Sequence, residues 1–192
     1  MMLLALPACL VAQKMRGGIK GGLNVSNLYV DNVDDENLRL SGHIGIYTQL
    51  GQGFFVIQPE ISYSGKGASV KYGNDLQGEA DFRFNYIDFP ILGTFKIGND
   101  FDFHIGPYFG YLLVAKVDTE NIIGSTTTEF DREQYNAIDI GAAFGMAINF
   151  EFVSVGVRYN YGLREIAKSD ATKLLLGDAK NSTGQVFVAL NL

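Results

Sequence analysis

Nearly every part of this chain alternates between apolar residues and small or polar ones, in long runs. The run VSVGVRYNYG, residues 153–162, puts Val153, Val155, Val157, Tyr159 and Tyr161 on one face, and Ser154, Gly156, Arg158, Asn160 and Gly162 on the other. A period of two specifies a strand with unlike sides. Segments of this kind fall at 17–30, 38–50, 54–66, 80–97, 101–116, 134–149, 152–163 and 183–192, which makes eight strands. Most are longer than the roughly 5–6 residues of globular strands, and long enough to cross a bilayer at a tilt of about 45°.

The connectors are sorted by length. Residues 51–53 (GQG), 98–100 (GND) and 150–151 read as tight turns, whereas 31–37, 67–79, 117–133 and 164–182 read as long polar loops. Short turns at one end and long loops at the other are the arrangement of an outer-membrane barrel, with both termini on the periplasmic side. A soluble lipocalin-like carrier, the alternative for such strands, has no reason to sort its loops. The fold class expected is therefore all-β: an eight-stranded antiparallel up-and-down transmembrane β-barrel. Its last strand must pair with its first, because an open edge in lipid leaves backbone groups unpaired.

A barrel in lipid turns its apolar side outward. Val153, Val155 and Val157 are thus expected to face lipid, together with Ile44, Ile46, Ile140, Val188 and Leu190. Phe55, Phe101, Phe103 and Phe150 gather toward the short turns, and Tyr29, Tyr63, Tyr111, Tyr159 and Tyr161 toward the long loops. This predicts two aromatic girdles.

The less apolar faces carry Gly45, Gly106, Gly110, Gly141, Ala143, Gly145, Ala147, Gly156 and Gly162 with a few charges. Small residues among large charged ones describe a narrow interior, where each long side chain needs space opposite it. Glu60, Arg158 and Asp139, with His43, are expected to form a paired charge network in the lumen, and Asp88, Lys96 and Asp102 to share the inward faces. Strand parity places Glu60 opposite His43 or Gly45, Lys96 opposite Asp102, and Arg158 opposite Ala143 or Gly145.

No cofactor or metal is expected. His43 and His104 show no ligand spacing, and no nucleophile stands beside a base; Asp102 and His104 read as an ordinary interior pair. GIKGG opens a strand rather than a helix, which is the wrong setting for a phosphate cradle. The sequons at Asn24 and Asn181 read as chance occurrences. The 23 Gly, 14 Phe and 10 Tyr suit strands and turns better than helices. A net charge of −6 argues against a phosphate-tracking surface, so no nucleic-acid partner is expected.

The opening MMLLALPACLVAQK has the apolar core of a secretory leader without its charged start. Residues 1–12 are therefore expected to be a shortened signal peptide and 13–192 a single barrel domain. Cys9, the single cysteine, lies in that leader, which leaves the mature chain without a disulfide. No later segment approaches the ~18 continuous apolar residues of a membrane-spanning helix.

GIKGGLNVSNL (18–28), IQPEISYSGKG (57–67), YIDFPILGTFKI (86–97), FHIGPYFGYLL (103–113), IDIGAAFGM (138–146) and VGVRYNYGL (155–163) follow one another over nearly the whole chain. Together they resemble the small outer-membrane β-barrel ("porin family", outer membrane protein beta-barrel domain, PorT-like) proteins of Bacteroidota-type bacteria, barrels of the OmpX/OmpA kind. The resemblance implies the bacterial outer membrane as location, outer-membrane lipid as surroundings, and a C-terminal strand read by the outer-membrane assembly machinery. It implies no activity, since such barrels serve as adhesins, resistance factors, enzymes or secretion accessories. The expected role is structural or surface-interacting, with a side-chain-filled lumen and an unknown extracellular partner at loops 67–79 and 117–133. Two alternatives stand beside it: a narrow porin-like channel for ions or small solutes, and an outer-membrane lipid-modifying enzyme.

Overall fold

A computed structural model describes residues 16–29, 38–72, 78–98, 100–121, 124–129, 135–168 and 179–192. The expected leader 1–12, loop 31–37 and residues 169–178 lie outside the described residues. The strands are β1 (Arg16–Tyr29), β2 (Arg39–Gln49), β3 (Phe55–Tyr72), β4 (Gly78–Ile97), β5 (Phe101–Asn121), β6 (Gly124–Glu129), β7 (Ile138–Asn149), β8 (Val153–Glu165) and β9 (Lys180–Asn191). Each of the eight long strands pairs antiparallel with its neighbour, from β1 through β5 and on through β7, β8 and β9. The ladder β1–β9, from Gly18↔Asn191 to Tyr29↔Lys180, closes the barrel. Strand β6 is a short return on the far end of β5, pairing Lys116↔Glu129 to Asn121↔Gly124 outside the ring.

Two of the polar connectors are largely strand. Loop 67–79 is mostly the continuation of β3 to Tyr72 and the start of β4 at Gly78, and loop 117–133 holds the β5–β6 hairpin. Beyond the bilayer both faces of a strand meet water, so the apolar side that marks a strand in lipid is missing there.

The first short turn also differs from expectation. Leu50 and Ile57 exchange both backbone hydrogen bonds, at 2.8 and 2.9 Å, so the β2–β3 hairpin spans more than GQG. Gly51 and Gly53 take φ of 119° and 80°, values that glycine adopts without steric cost. The longer hairpin shifts the register, and Glu60 faces Tyr47 rather than His43 or Gly45, while His43 faces Ser64. Lys96 does face Asp102, and Arg158 faces Gly145.

Through the barrel wall burial alternates along the strands, with apolar side chains outward, and on β3 this gives way to an unbroken buried run over residues 64–69. On β7 the outward residues Ile138, Ile140, Phe144, Met146 and Ile148 are all exposed, while Asp139, Ala143 and Ala147 between them are buried. Inside, glycine makes room for large neighbours. A Cβ on Gly156 would lie 2.5 Å from the Phe187 ring, one on Gly145 2.7 Å from His104, and one on Gly141 2.4 Å from Tyr108.

The interior is not uniformly small and charged, as parity suggested. Toward the long-strand end Phe82, Phe84, Tyr86 and Leu112 from the wall pack with Tyr135, Ile166, Ala167 and Ala179 from the connectors. They form an apolar cap inside the barrel mouth. A bulge on β5, where Asn85 pairs with Val114 and Tyr86 with Leu112, lets Leu112 and Ala115 both face this cap.

Candidate functional site

Beneath the cap, ionisable side chains meet across the lumen in two separate clusters. The lower one centres on Glu60 of β3. Arg158 of β8 grips it with two parallel bonds, Nη1 to Oε2 at 2.7 Å and Nη2 to Oε1 at 2.8 Å. Lys20 of β1 also donates to Oε2, and Gln58 Nε2 donates to Oε1 at 2.7 Å. The planar guanidinium fork matches the carboxylate edge, which ties three strands together through one acid. The ring of Phe187 lies 4.9 Å from the Lys20 ammonium and 5.6 Å from the Arg158 guanidinium. Such contacts add attraction where water is excluded.

Both histidines serve as hydrogen-bond partners here. Arg158 Nε donates to His104 Nε2 at 3.2 Å, which leaves the ring proton on Nδ1. His43 Nδ1 donates to Asn24 Oδ1 at 2.6 Å, and Gln185 Nε2 donates to the same oxygen at 3.0 Å. Asn24 in turn donates from Nδ2 to the Gly65 carbonyl at 2.8 Å.

The upper cluster centres on a cation. Lys66 of β3, fully buried, donates to Asp88 Oδ1 and Asp139 Oδ2, each at 3.0 Å. The rings of Tyr86 and Tyr108 stand 4.7 and 4.6 Å from its ammonium. Asp139 Oδ2 also accepts from Tyr108 OH at 3.1 Å and from Asn181 Nδ2 at 2.9 Å. Nearer the short turns, Lys96 meets Asp102 at 3.4 Å in a partly exposed pair.

The expected network therefore divides differently. Glu60 and Arg158 are joined, but Asp139 belongs with Asp88 around Lys66, and His43 binds Asn24. Asp102 pairs with Lys96 instead of His104. Strand parity identifies inward faces but not which strands meet across the lumen, and β3 meets β1, β7 and β8 there. Lys66 at the centre of the upper cluster and Lys20 beside Glu60 in the lower one were missing from the expectation. Each shared the inward parity of its strand.

On the outside, Val155, Val157, Ile44, Ile46, Ile140, Val188 and Leu190 are exposed, and Val153 is half-buried on the same face. Phe55, Phe101, Phe103 and Phe150 are exposed toward the short-turn end, where the Phe55 and Phe95 rings stand 5.1 Å apart. Tyr63 and Tyr111 are exposed outward nearer the other end, and the half-buried Tyr159 bonds its hydroxyl to Ser182 at 2.6 Å. Tyr161 is half-buried on the same face as Tyr159. Tyr29 is the last residue of β1, and its side chain lies outside the described residues.

Between the lower cluster and the short turns lies a vestibule of about 450 Å³, lined by Lys20, Tyr47, Gln58, Lys96, Asp102 and His104 among others. Among the described residues no group of three His, Cys, Asp or Glu side chains is placed to hold a metal ion.

A closed antiparallel barrel that exposes an apolar, aromatic-edged wall and turns its charges inward is a bacterial outer-membrane β-barrel. The chain belongs to the outer membrane protein beta-barrel domain family, whose model matches residues 11–168. Its place is the bacterial outer membrane. Among solved structures it is similar to Ail, the attachment invasion locus protein of Yersinia pestis, at 13% identity and a TM-score of 0.51, covering 92% of this chain and 98% of that one. A second Ail structure, in complex with the heparin analogue sucrose octasulfate, gives 14% identity and 0.50 over 93% and 99%. Neisserial surface protein A gives 9% and 0.48 over 92% and 96%. At these identities the likeness is one of fold. No curated protein matches the sequence.

Proposed function

We propose that this barrel is a non-enzymatic outer-membrane protein with a side-chain-filled lumen, acting structurally and through its extracellular end. The observation that carries this is the succession inside one narrow barrel of an apolar cap, the Lys66 cluster and the Glu60 cluster, whose charged groups are all nearly inaccessible. Eight strands enclose an interior that side chains can fill. Neither histidine ring hydrogen-bonds a serine or threonine hydroxyl among the described residues, as a hydrolase site would require.

The extracellular role rests on strand length. At ~3.3 Å per residue and a tilt near 45°, the 20 and 21 residues of β4 and β5 rise about 45–50 Å, against an apolar band of about 25 Å. The excess forms a stiff projection outside the cell that offers a partner a fixed surface. Two further partners suit the architecture: outer-membrane lipid around the wall, and the assembly machinery at β9, the strand that closes the barrel onto β1 and turns Val186, Val188 and Leu190 outward.

The vestibule favours the second reading, a narrow channel, because its lining reaches as deep as Lys20 and His104. Planar-bilayer recordings of the refolded chain and of Arg158→Ala decide between the two. Silence from both, in protein shown to be inserted, is the expected result. Steady openings in the unaltered chain, changed by the substitution, would make the lumen a conduit.

A further inference from the structure

We propose that the lumen holds one small monovalent cation, of the sodium or potassium kind, between β7, β8 and β9 at the level of Asp139. The ligands are side-chain oxygens of Asp139, Asn160, Asn181 and Thr183.

The first observation is how charge is shared. Lys66, Asp88 and Asp139 sum to −1, whereas Glu60, Lys20 and Arg158 sum to +1, so the six together are neutral. Asp88 stands opposite Ser62 on the ladder, two residues from Glu60, and meets the lower excess there. Asp139 has for a cation only its share of Lys66, and its second oxygen has no partner among the described residues.

The second observation is a set of oxygens with nothing to accept from. Among the described residues Asp139 Oδ1, Asn160 Oδ1, Asn181 Oδ1 and Thr183 Oγ1 are all buried without a hydrogen-bond partner. Their residues are 3%, 5%, 1% and 0% exposed. The orientation of Asn181 is fixed by its Nδ2, which donates to Asp139 Oδ2, so its oxygen is an acceptor left over. Thr183 lies two residues further along β9 on the same face, and Asn160 stands directly across the ladder from Thr183. The four thus form one patch of wall.

The third observation is a close approach. Gly162 follows Asn160 by two residues on β8, and a Cβ there would sit 2.9 Å from the Asn181 carbonyl oxygen and 3.2 Å from Asp139 Oδ1. Glycine lets Asp139 and Asn181 come together at this level.

These donors select the class of ligand. Three of the four oxygens belong to neutral groups and the fourth to a carboxylate already shared with Lys66. One positive charge suits a set with a single carboxylate. A divalent ion would overshoot the charge, and calcium or magnesium sites draw on more carboxylates or on bound waters. The oxygens of Asp139, Asn160 and Asn181 can only accept, and a single water offers two protons, one too few for the three.

The test is equilibrium urea unfolding of the refolded chain in detergent micelles, with sodium, potassium or N-methylglucamine chloride at one ionic strength. The folding equilibrium should shift saturably toward the folded barrel in sodium or potassium, by about 100-fold when the cation stands at 100 times its dissociation constant. Thr183→Val keeps the side-chain shape and should fold while losing at least 10-fold of that cation preference. Thallium(I) soaked into crystals should give an anomalous peak among the four oxygens. Equal midpoints in all three salts overturn the proposal, as does a full cation effect in Thr183→Val or a thallium peak elsewhere. A midpoint that follows pH but not the cation would assign the missing charge to a proton on the Asp88–Asp139 pair, and would overturn it too.

Discussion

Glu60 neutralises two buried cations with one carboxylate, so it is the residue on which the lower lumen depends most. Glu60→Gln leaves Lys20 and Arg158 facing each other in a site that is nearly inaccessible to water. Removing one partner of a buried ionic group costs about 3–5 kcal/mol, whereas a partly exposed pair contributes under about 1 kcal/mol. Urea unfolding should accordingly show a large loss for Glu60→Gln and a small one for Lys96→Ala, whose side chain keeps 22% of its exposure. Comparable losses from both would mean that burial does not rank these pairs. The acids and Arg158 were legible in the sequence because parity alone turns them inward. Their partners were harder to see. Lys20 sits in IKGGLN between Gly18 and Gly22 on the inward face, and Lys66 ends the run Glu60, Ser62, Ser64, so the same parity would have found both. Asn24 and Asn181, each the first residue of a chance sequon, are 0% and 1% exposed. A three-residue motif says nothing about which side of a strand it occupies.

The strand is the unit on which membrane and water are told apart. Val157 is exposed outward in the middle of β8, between Met146 and Val186 on the neighbouring strands. Val157→Arg puts a charge on the lipid face at a cost of about 2–4 kcal/mol near the bilayer midplane. Folding into vesicles should lose that amount, with the loss shrinking in short-chain lipids; unchanged insertion would place this face away from lipid. A different constraint acts on β3 where it leaves the Lys66 level. Gly67 has φ of 138°, and a Cβ there would fall 1.9 Å from the Phe82 carbonyl oxygen. Gly67→Ala should lower the thermal midpoint, through roughly 1–3 kcal/mol of backbone strain, while insertion proceeds. An unaltered midpoint would show that the backbone relaxes there freely. The eight barrel strands could be read from the sequence to within a few residues, since lipid enforces an apolar period of two. Their extensions could not. Past the bilayer that enforcement stops, and β3, β4, β5 and the β6 return look like polar loop.

For the whole molecule the decisive feature is that two unlike barriers stand in series along one lumen. At the outer end the rings of Phe84 and Tyr135 meet at 5.3 Å within an apolar cap. Deeper in, the Glu60 cluster bridges β1, β3 and β8 with charge-assisted bonds. Sequential pairing fixes the order of strands around the ring, so the sequence could yield closure, but contact between β3 and β8 depends on barrel shear and tilt. That is why the clusters, and the separation between them, emerged only in three dimensions. Barriers in series make a specific prediction about conductance. Arg158→Ala loosens the ionic crossing but leaves the cap, and Phe84→Ala opens the cap but leaves the crossing, so each alone should stay closed in a planar bilayer. The double substitution should produce openings, because only the Lys66 cluster then stands between the outer mouth and the vestibule of about 450 Å³. Its folded state must be confirmed beforehand, since truncating a buried phenylalanine costs about 3–5 kcal/mol. Openings in either single variant would show that one barrier alone seals the barrel. A folded, inserted double variant that remains silent would move the seal to the Lys66 cluster, the remaining barrier between the two.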